Sequence, residues 1–115
     1  MDQASLSSCI RACADCSAAC EHCASACLAE PEVASMVDCI RLDRDCADLC
    51  RMAIALMSRG SAFAARFCEL CAAACDACAA ECARHKHEHC KACAEACRRC
   101  AEECRRMANR GAEAA

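Results

Sequence analysis

Cysteine recurs along this chain in steps of three and four. Cys9, Cys13, Cys16, Cys20, Cys23 and Cys27 advance by 4, 3, 4, 3 and 4. Cys68, Cys71, Cys75, Cys78 and Cys82 advance by 3, 4, 3 and 4, and so do Cys90, Cys93, Cys97, Cys100 and Cys104. Alternating steps of three and four keep side chains on one face of an α-helix, the face that normally packs Leu and Ile into a core. In this chain that face carries sulfur. A β-sheet would need a period of two, and a zinc finger would need short loops, so the spacing restricts the fold to helices with thiol-lined inner faces.

The few helix breakers divide the chain. The 115 residues hold two Gly, one Pro and abundant Ala, enough for one helical domain over 1–115. The expected helices run over about 5–28, 31–57, 62–84 and 88–109. Pro31 suits the first position of the second helix, Gly60 a helix stop and Ser61 an N-cap, and Gly111 falls just past the fourth helix. Short links make successive helices antiparallel, so the expected fold is all-α: an up-down-up-down four-helix bundle with a Cys-lined core.

The second helix is poorer in thiols, with only Cys39, Cys46 and Cys50, and Asp43 stands on their line. Asp43 either joins the thiols or turns outward to an Arg. A second stripe, Leu42, Leu49 and Leu56, suits a helix seam or a subunit interface. Folding the helices over one another at their links places Cys50 with Cys9, Cys68 and Cys104, and Cys46 with Cys13, Cys71 and Cys100. Asp43 then falls with Cys16, Cys75 and Cys97; Cys39 with Cys20, Cys78 and Cys93; and Met36 with Cys23, Cys82 and Cys90. One pole collects Leu6, Ile10, Met57, Phe63, Phe67 and Met107 as an apolar plug. The other collects Cys27, Met36, His85 and His87, with His89 a weaker ligand candidate. Met36 serves either as a soft ligand or as core packing.

Composition removes several functions. The net charge is -3 with acids and bases interspersed, and Phe63 and Phe67 are the whole aromatic content. Neither a basic stripe nor a stacking platform is present for nucleic acid. No apolar run approaches the ~20 residues of a membrane span. The opening MDQASLSSC lacks a basic and apolar leader, which points to a cytoplasmic chain with reduced thiols. The odd count of 19 Cys precludes complete internal pairing. No Ser/His/Asp arrangement or open three-ligand site stands out, so an enzyme is not expected.

Thiolates suit soft metals: Cu(I), Zn(II) or iron–sulfur clusters. The loop-borne run C-x2-C-x2-C-x3-C of cluster proteins is absent. Zinc bound by four thiolates carries a charge of -2, and several such sites stacked in one dry core would repel one another. Cu(I) is monovalent and takes two or three thiolates. If each thiolate bridges two ions, the filled core nears neutrality at on the order of one Cu(I) per Cys. The expected function is storage and buffering of many Cu(I) ions in the bundle core. A zinc-binding, metallothionein-like protein is the alternative.

From Cys9 to Met107 the chain resembles the bacterial copper storage proteins, in their cytosolic branch. The likeness rests on C-x2-C and C-x3-C steps in four Cys-rich helices and on a His-bearing link before the last one. It implies a bundle holding many Cu(I) ions along its axis, a homotetramer, and copper admission at an end bearing His or Met. It carries over all 19 Cys as ligand candidates, with His85 and His87 at the admitting end.

Overall fold

The computed structural model describes residues 3–114, with side chains over 3–110. It is all-helical: α1 spans Gln3–Leu28, α2 Val37–Ser58, α3 Ala64–Cys82 and α4 Glu88–Ala114, with a 3-10 turn at Val33–Met36 before α2. Each helix packs against its neighbours in chain order, and α4 closes on α1. The result is an antiparallel bundle with extents of 49 × 20 × 19 Å. About 26 residues of helix at 1.5 Å per residue account for most of that length.

Ala and Cys on the inner faces let the helices approach closely. Every one of the 19 cysteines is buried as a free thiol. Ala12, Ala47, Ala53, Ala72 and Ala79 fill the gaps beside them. The outer faces carry exposed ion pairs: Glu21 of α1 holds Arg44 and Arg51 of α2, and Asp76 of α3 meets Arg105 of α4. Pairs this exposed contribute about 0–1 kcal/mol each, so core packing carries the fold.

The links explain the ends. A proline disfavours the helical conformation in the residue before it, so α1 stops ahead of Glu30-Pro31. Contrary to the sequence expectation, Pro31 does not begin the next helix. The chain makes a turn and a 3-10 segment there, with the Ser35 N–H and hydroxyl both bonded to the Glu32 carbonyl, and α2 starts only at Val37. At the far end of α2, Gly60 takes φ +64°, the Gly60 N–H reaches Met57 and the Ser61 N–H reaches Leu56. This is a Schellman ending, for which a residue without Cβ is suited. Ser61 caps differently from its expected role: its hydroxyl accepts from the Phe63 N–H, and α3 begins at Ala64. Gly111 does not stop α4, whose backbone runs to Ala114.

The late start of α2 shifts its register by one step against the other three helices. The sequence alignment of α1, α3 and α4 holds, and α2 slides. Cys50 reaches Cys71 and Cys100 at 3.8 and 3.7 Å, while Cys46 reaches Cys16 and Cys75 at 3.7 and 3.5 Å. Ala53 therefore occupies the α2 position beside Cys9, Cys68 and Cys104. The plug forms largely as expected: Met57 and Met107 are buried, and Leu6, Ile10 and Phe67 pack against the core. Phe63 is the exception, at 68% exposure, because it precedes the first turn of α3 and points away from the bundle.

Candidate metal centre

The thiols form a continuous ladder along the bundle axis. Near the plug, Cys9 and Cys13 lie 3.9 and 3.7 Å from Cys104, and Cys13 lies 3.6 Å from Cys100. The next rung holds Cys16, Cys46, Cys75 and Cys97, with Cys16 3.6 Å from Cys97. Cys20 then contacts Cys93 at 3.6 Å and Cys78 at 4.0 Å. Toward the other pole Cys39 meets Cys82 at 3.5 Å and Cys27 at 4.0 Å, and Cys23 meets Cys90 at 3.8 Å. Two sulfurs held by one metal at about 2.3 Å stand about 3.8–4.0 Å apart at trigonal or tetrahedral angles. The thiols are thus already spaced for shared ions with little movement of their helices. Groups such as Cys16, Cys20, Cys46 and Cys97, or Cys13, Cys71, Cys100 and Cys104, place four ligand atoms within 4.8 Å of one another.

Neighbouring groups share sulfurs: Cys16 and Cys46 belong also with Cys50 and Cys75, and Cys20 and Cys97 also with Cys78 and Cys93. A sulfur that serves two groups is suited to bridge two ions. Hydrogen bonds between neighbouring thiols separate their proton affinities. Hydrogen bonds with Cys16, Cys20 and Cys50 hold Cys46 below the ordinary thiol range, and hydrogen bonds with Cys16, Cys20 and Cys46 push Cys97 above it. Near the open pole burial pushes Cys90 up to about 11. Each thiol that takes a metal must give up its proton.

Asp43 points inward. It is fully buried, and its Oδ1 accepts from the Cys78 and Cys93 thiols at 3.2 Å each and from Cys82 at 3.4 Å; Cys39 approaches Oδ2 at 3.8 Å. The register shift of α2 sets it on the rung of Cys20, Cys78 and Cys93, one step from the expected one. Burial first, and then the charge of Cys93, push its carboxyl up to about 8. Weak thiol donors do not repay the loss of water, so the carboxyl keeps its proton. Met36, at the start of α2, is fully buried in the same core cluster.

The three histidines of the open pole change rank. His89 meets the thiols: its Nδ1 lies 3.4 Å from Cys23, 3.5 Å from Cys90 and 4.0 Å from Cys27. With Cys23, Cys27 and Cys90 it forms a converging set of four. His85 instead bonds Glu81 at 2.9 Å, and His87 bonds Glu32 at 2.8 Å. Projecting the thiol lines past the helix ends favours His85 and His87. Those lines stop at Cys82 and resume at Glu88, so the projection does not hold across the link. The missed signal lay inside α4, where His89 stands four residues before Cys93. His22 is exposed on α1.

A four-helix bundle whose core is a ladder of reduced thiols, closed by apolar side chains at one pole and by imidazole at the other, defines a narrow class of protein. The family model described as copper storage protein, Csp, matches residues 2–109. The chain belongs to the copper storage protein family. It is similar to Cu(I)-bound copper storage protein BsCsp3, with 50% identity, a TM-score of 0.87 and coverage of 90% of this chain and 98% of that one. It is also similar to apo-Csp3 from Bacillus subtilis, with 50% identity, a TM-score of 0.83 and coverage of 89% and 97%. A cytosolic copper storage protein from Streptomyces lividans, in a structure of copper loading with five coppers, is 44% identical, with a TM-score of 0.88 and coverage of 91% and 92%. No curated protein sequence matches the chain.

Proposed function

We infer that this protein stores and buffers Cu(I), holding many ions through its core thiolates. The observation that carries the reading is the shared-sulfur ladder. Separate four-thiolate zinc sites would need sulfurs that belong to one group each, whereas these sulfurs belong to two. Monovalent copper on bridging thiolates also keeps the long dry core near neutral charge. The Cu(I) bound to one relative and the five coppers loaded in another support the same cargo. A cytosolic location is supported by the Streptomyces lividans relative.

All 19 Cys are the proposed ligands, with Asp43 adding a carboxylate on the rung of Cys78 and Cys93 and Met36 a thioether near the open pole. His89, rather than His85 or His87, is the proposed ligand at the mouth. The protein binds and releases ions and is not an enzyme. Its proposed assembly is a homotetramer, supported by the half-buried Leu42, Leu49 and Leu56 and the exposed Val33, Val37 and Met52 on and beside α2. Sedimentation equilibrium tests the assembly, and a monomer would overturn it.

The cargo is tested by competition. Co(II) bound to thiolate absorbs by sulfur-to-metal charge transfer. Cu(I) added to the Co(II)-loaded protein is expected to bleach that absorption completely, since soft thiolates favour the softer ion. Bands that persist in excess Cu(I) would favour the zinc-type reading.

The role of His89 is tested by rate. His89→Ala is expected to slow Cu(I) transfer from a small chelator about tenfold or more while leaving capacity within about one or two ions of the parent. His85→Ala should transfer at the parental rate. Equal rates in both variants remove His89 from the path.

A further inference from the structure

The apolar pole carries a charged groove where α1 begins and α4 nears its end. Ser5 and Ser8 line it from α1, and Glu103, Arg106, Met107 and Arg110 from α4, around a volume of about 410 Å³. That is the size of a small-molecule site.

Its walls favour an anion. Arg106 Nη1 donates to Glu103 Oε2 at 2.8 Å. A guanidinium carries five N–H donors, so this bond leaves the fork able to take a second carboxylate. Two guanidiniums stand against one carboxylate in the groove, and the Ser5 and Ser8 hydroxyls, three residues apart on one helix face, add donors. The open pole has the opposite character: His85, His87 and His89 each face a carboxylate, of Glu81, Glu32 and Glu30 in turn. An anionic ligand meets carboxylates at that mouth and guanidiniums in this groove.

The floor of the groove reaches the ladder. Met107 lines the groove yet is only 1% exposed, and it belongs to the same buried cluster as Cys9 and Cys104. It stands about one helical turn beyond Cys104, whose sulfur lies 3.9 Å from Cys9 and 3.7 Å from Cys13. One thioether therefore separates the groove from the last thiols. A thioether is a soft donor that suits Cu(I), and the unbranched Met side chain turns about three bonds. Ala53 stands on that rung where α2 elsewhere brings a thiol, so an ion there has fewer sulfurs to leave. Cationic walls over a soft floor suit a molecule that carries both carboxylates and a thiol.

We propose that this groove binds a small thiol bearing carboxylates, which draws Cu(I) from the last rung of the ladder past Met107. The carboxylates pair with Arg106 and Arg110, and the thiol sulfur faces Met107. The transfer is a ligand exchange at constant oxidation state. The bond from Cys104 sulfur to Cu(I) breaks, a bond from the incoming sulfur forms, and the proton of the incoming thiol passes to Cys104. The binding site stands on the groove alone, and the transfer rests on the Cu(I) storage reading.

The test uses mercaptosuccinate as the probe, in two measurements. Calorimetry on reduced, copper-free protein is expected to show about one mercaptosuccinate per chain, with affinity lowered about tenfold or more in Arg106→Gln/Arg110→Gln. Arg59→Gln, at an exposed arginine of the same pole, should bind like the parent. No saturable binding by the parent, or equal binding by the double variant, overturns the site. The second measurement uses Cu(I)-loaded protein, held without oxygen with a Cu(I) chelator in excess. Mercaptosuccinate is expected to speed transfer to the chelator, and the double variant to lose about tenfold of that acceleration. The neutral thiol 2-mercaptoethanol should act on parent and double variant within about twofold. Met107→Leu, close in volume, should lose acceleration about tenfold as its soft donor is removed. Circular dichroism and copper content verify that each variant is folded and filled. Binding without acceleration, or acceleration equal in parent and double variant, overturns the transfer. A parent that holds only one or two Cu(I) overturns the storage reading and the transfer with it, while the calorimetry still decides the site.

Discussion

Loading with Cu(I) is expected to make the bundle withstand guanidinium concentrations that unfold the copper-free chain completely. The copper-free core holds itself together with Ala, Met and weakly polar S–H groups, and an ordinary domain is stable by about 5–15 kcal/mol. An ion present at a thousand times its dissociation constant adds about 4 kcal/mol to the state that binds it. About three such ions equal the whole stability of an ordinary domain. Cys residues of the unfolded chain also bind Cu(I), so the gain is the excess of the folded ladder over them. That excess is large because a rung such as Cys16, Cys46, Cys75 and Cys97 joins all four helices at distances of 3.5–4.0 Å. Circular dichroism of loaded and copper-free protein across a guanidinium series reads the effect. Coincident midpoints would mean that copper binds the unfolded thiols as well as it binds the bundle.

The second large effect belongs to Asp43. Its carboxyl keeps a proton to about pH 8 in the folded chain, and an unfolded Asp keeps one only to about pH 4. Between those values the folded chain is the more protonated state, so copper-free stability falls as pH rises through the window. Asp43→Asn keeps the shape and an acceptor for the Cys78 and Cys93 thiols but cannot ionise. Relative to Asn, the parent protein is expected to lose on the order of 3 kcal/mol between pH 5 and pH 8. Urea unfolding of reduced, copper-free protein at both pH values reads the difference. Parallel pH profiles for parent and variant would show that Asp43 ionises as an ordinary surface carboxylate does.

The helices and the sulfur ladder were legible in the sequence because both follow from period alone. A side chain every three or four residues fixes its own face, and Cys on that face in α1, α3 and α4 leaves little freedom. What period does not fix is the length of a link. Pro31 fits the start of a helix and a turn equally well, and the 3-10 segment at Val33–Met36 moved α2 by one step. That shift decides which thiols Asp43 meets and leaves Ala53 opposite Cys9. The histidines changed rank for a related reason. His85 and His87 continue the thiol lines only if the helices continue, whereas His89 sits within α4, where the period still operates. The carboxylates that hold the outer faces of His87 and His89 come from Glu30 and Glu32, distant in sequence and brought near only by the α1–α2 turn.

The ladder as a store of many ions is tested most directly by an anaerobic titration of the reduced protein with Cu(I), against a chelator of known affinity. Binding is expected to outcompete the chelator until the ratio nears one Cu(I) per Cys, with roughly one proton released for each thiol engaged. Saturation at one or two ions per chain would contradict the account.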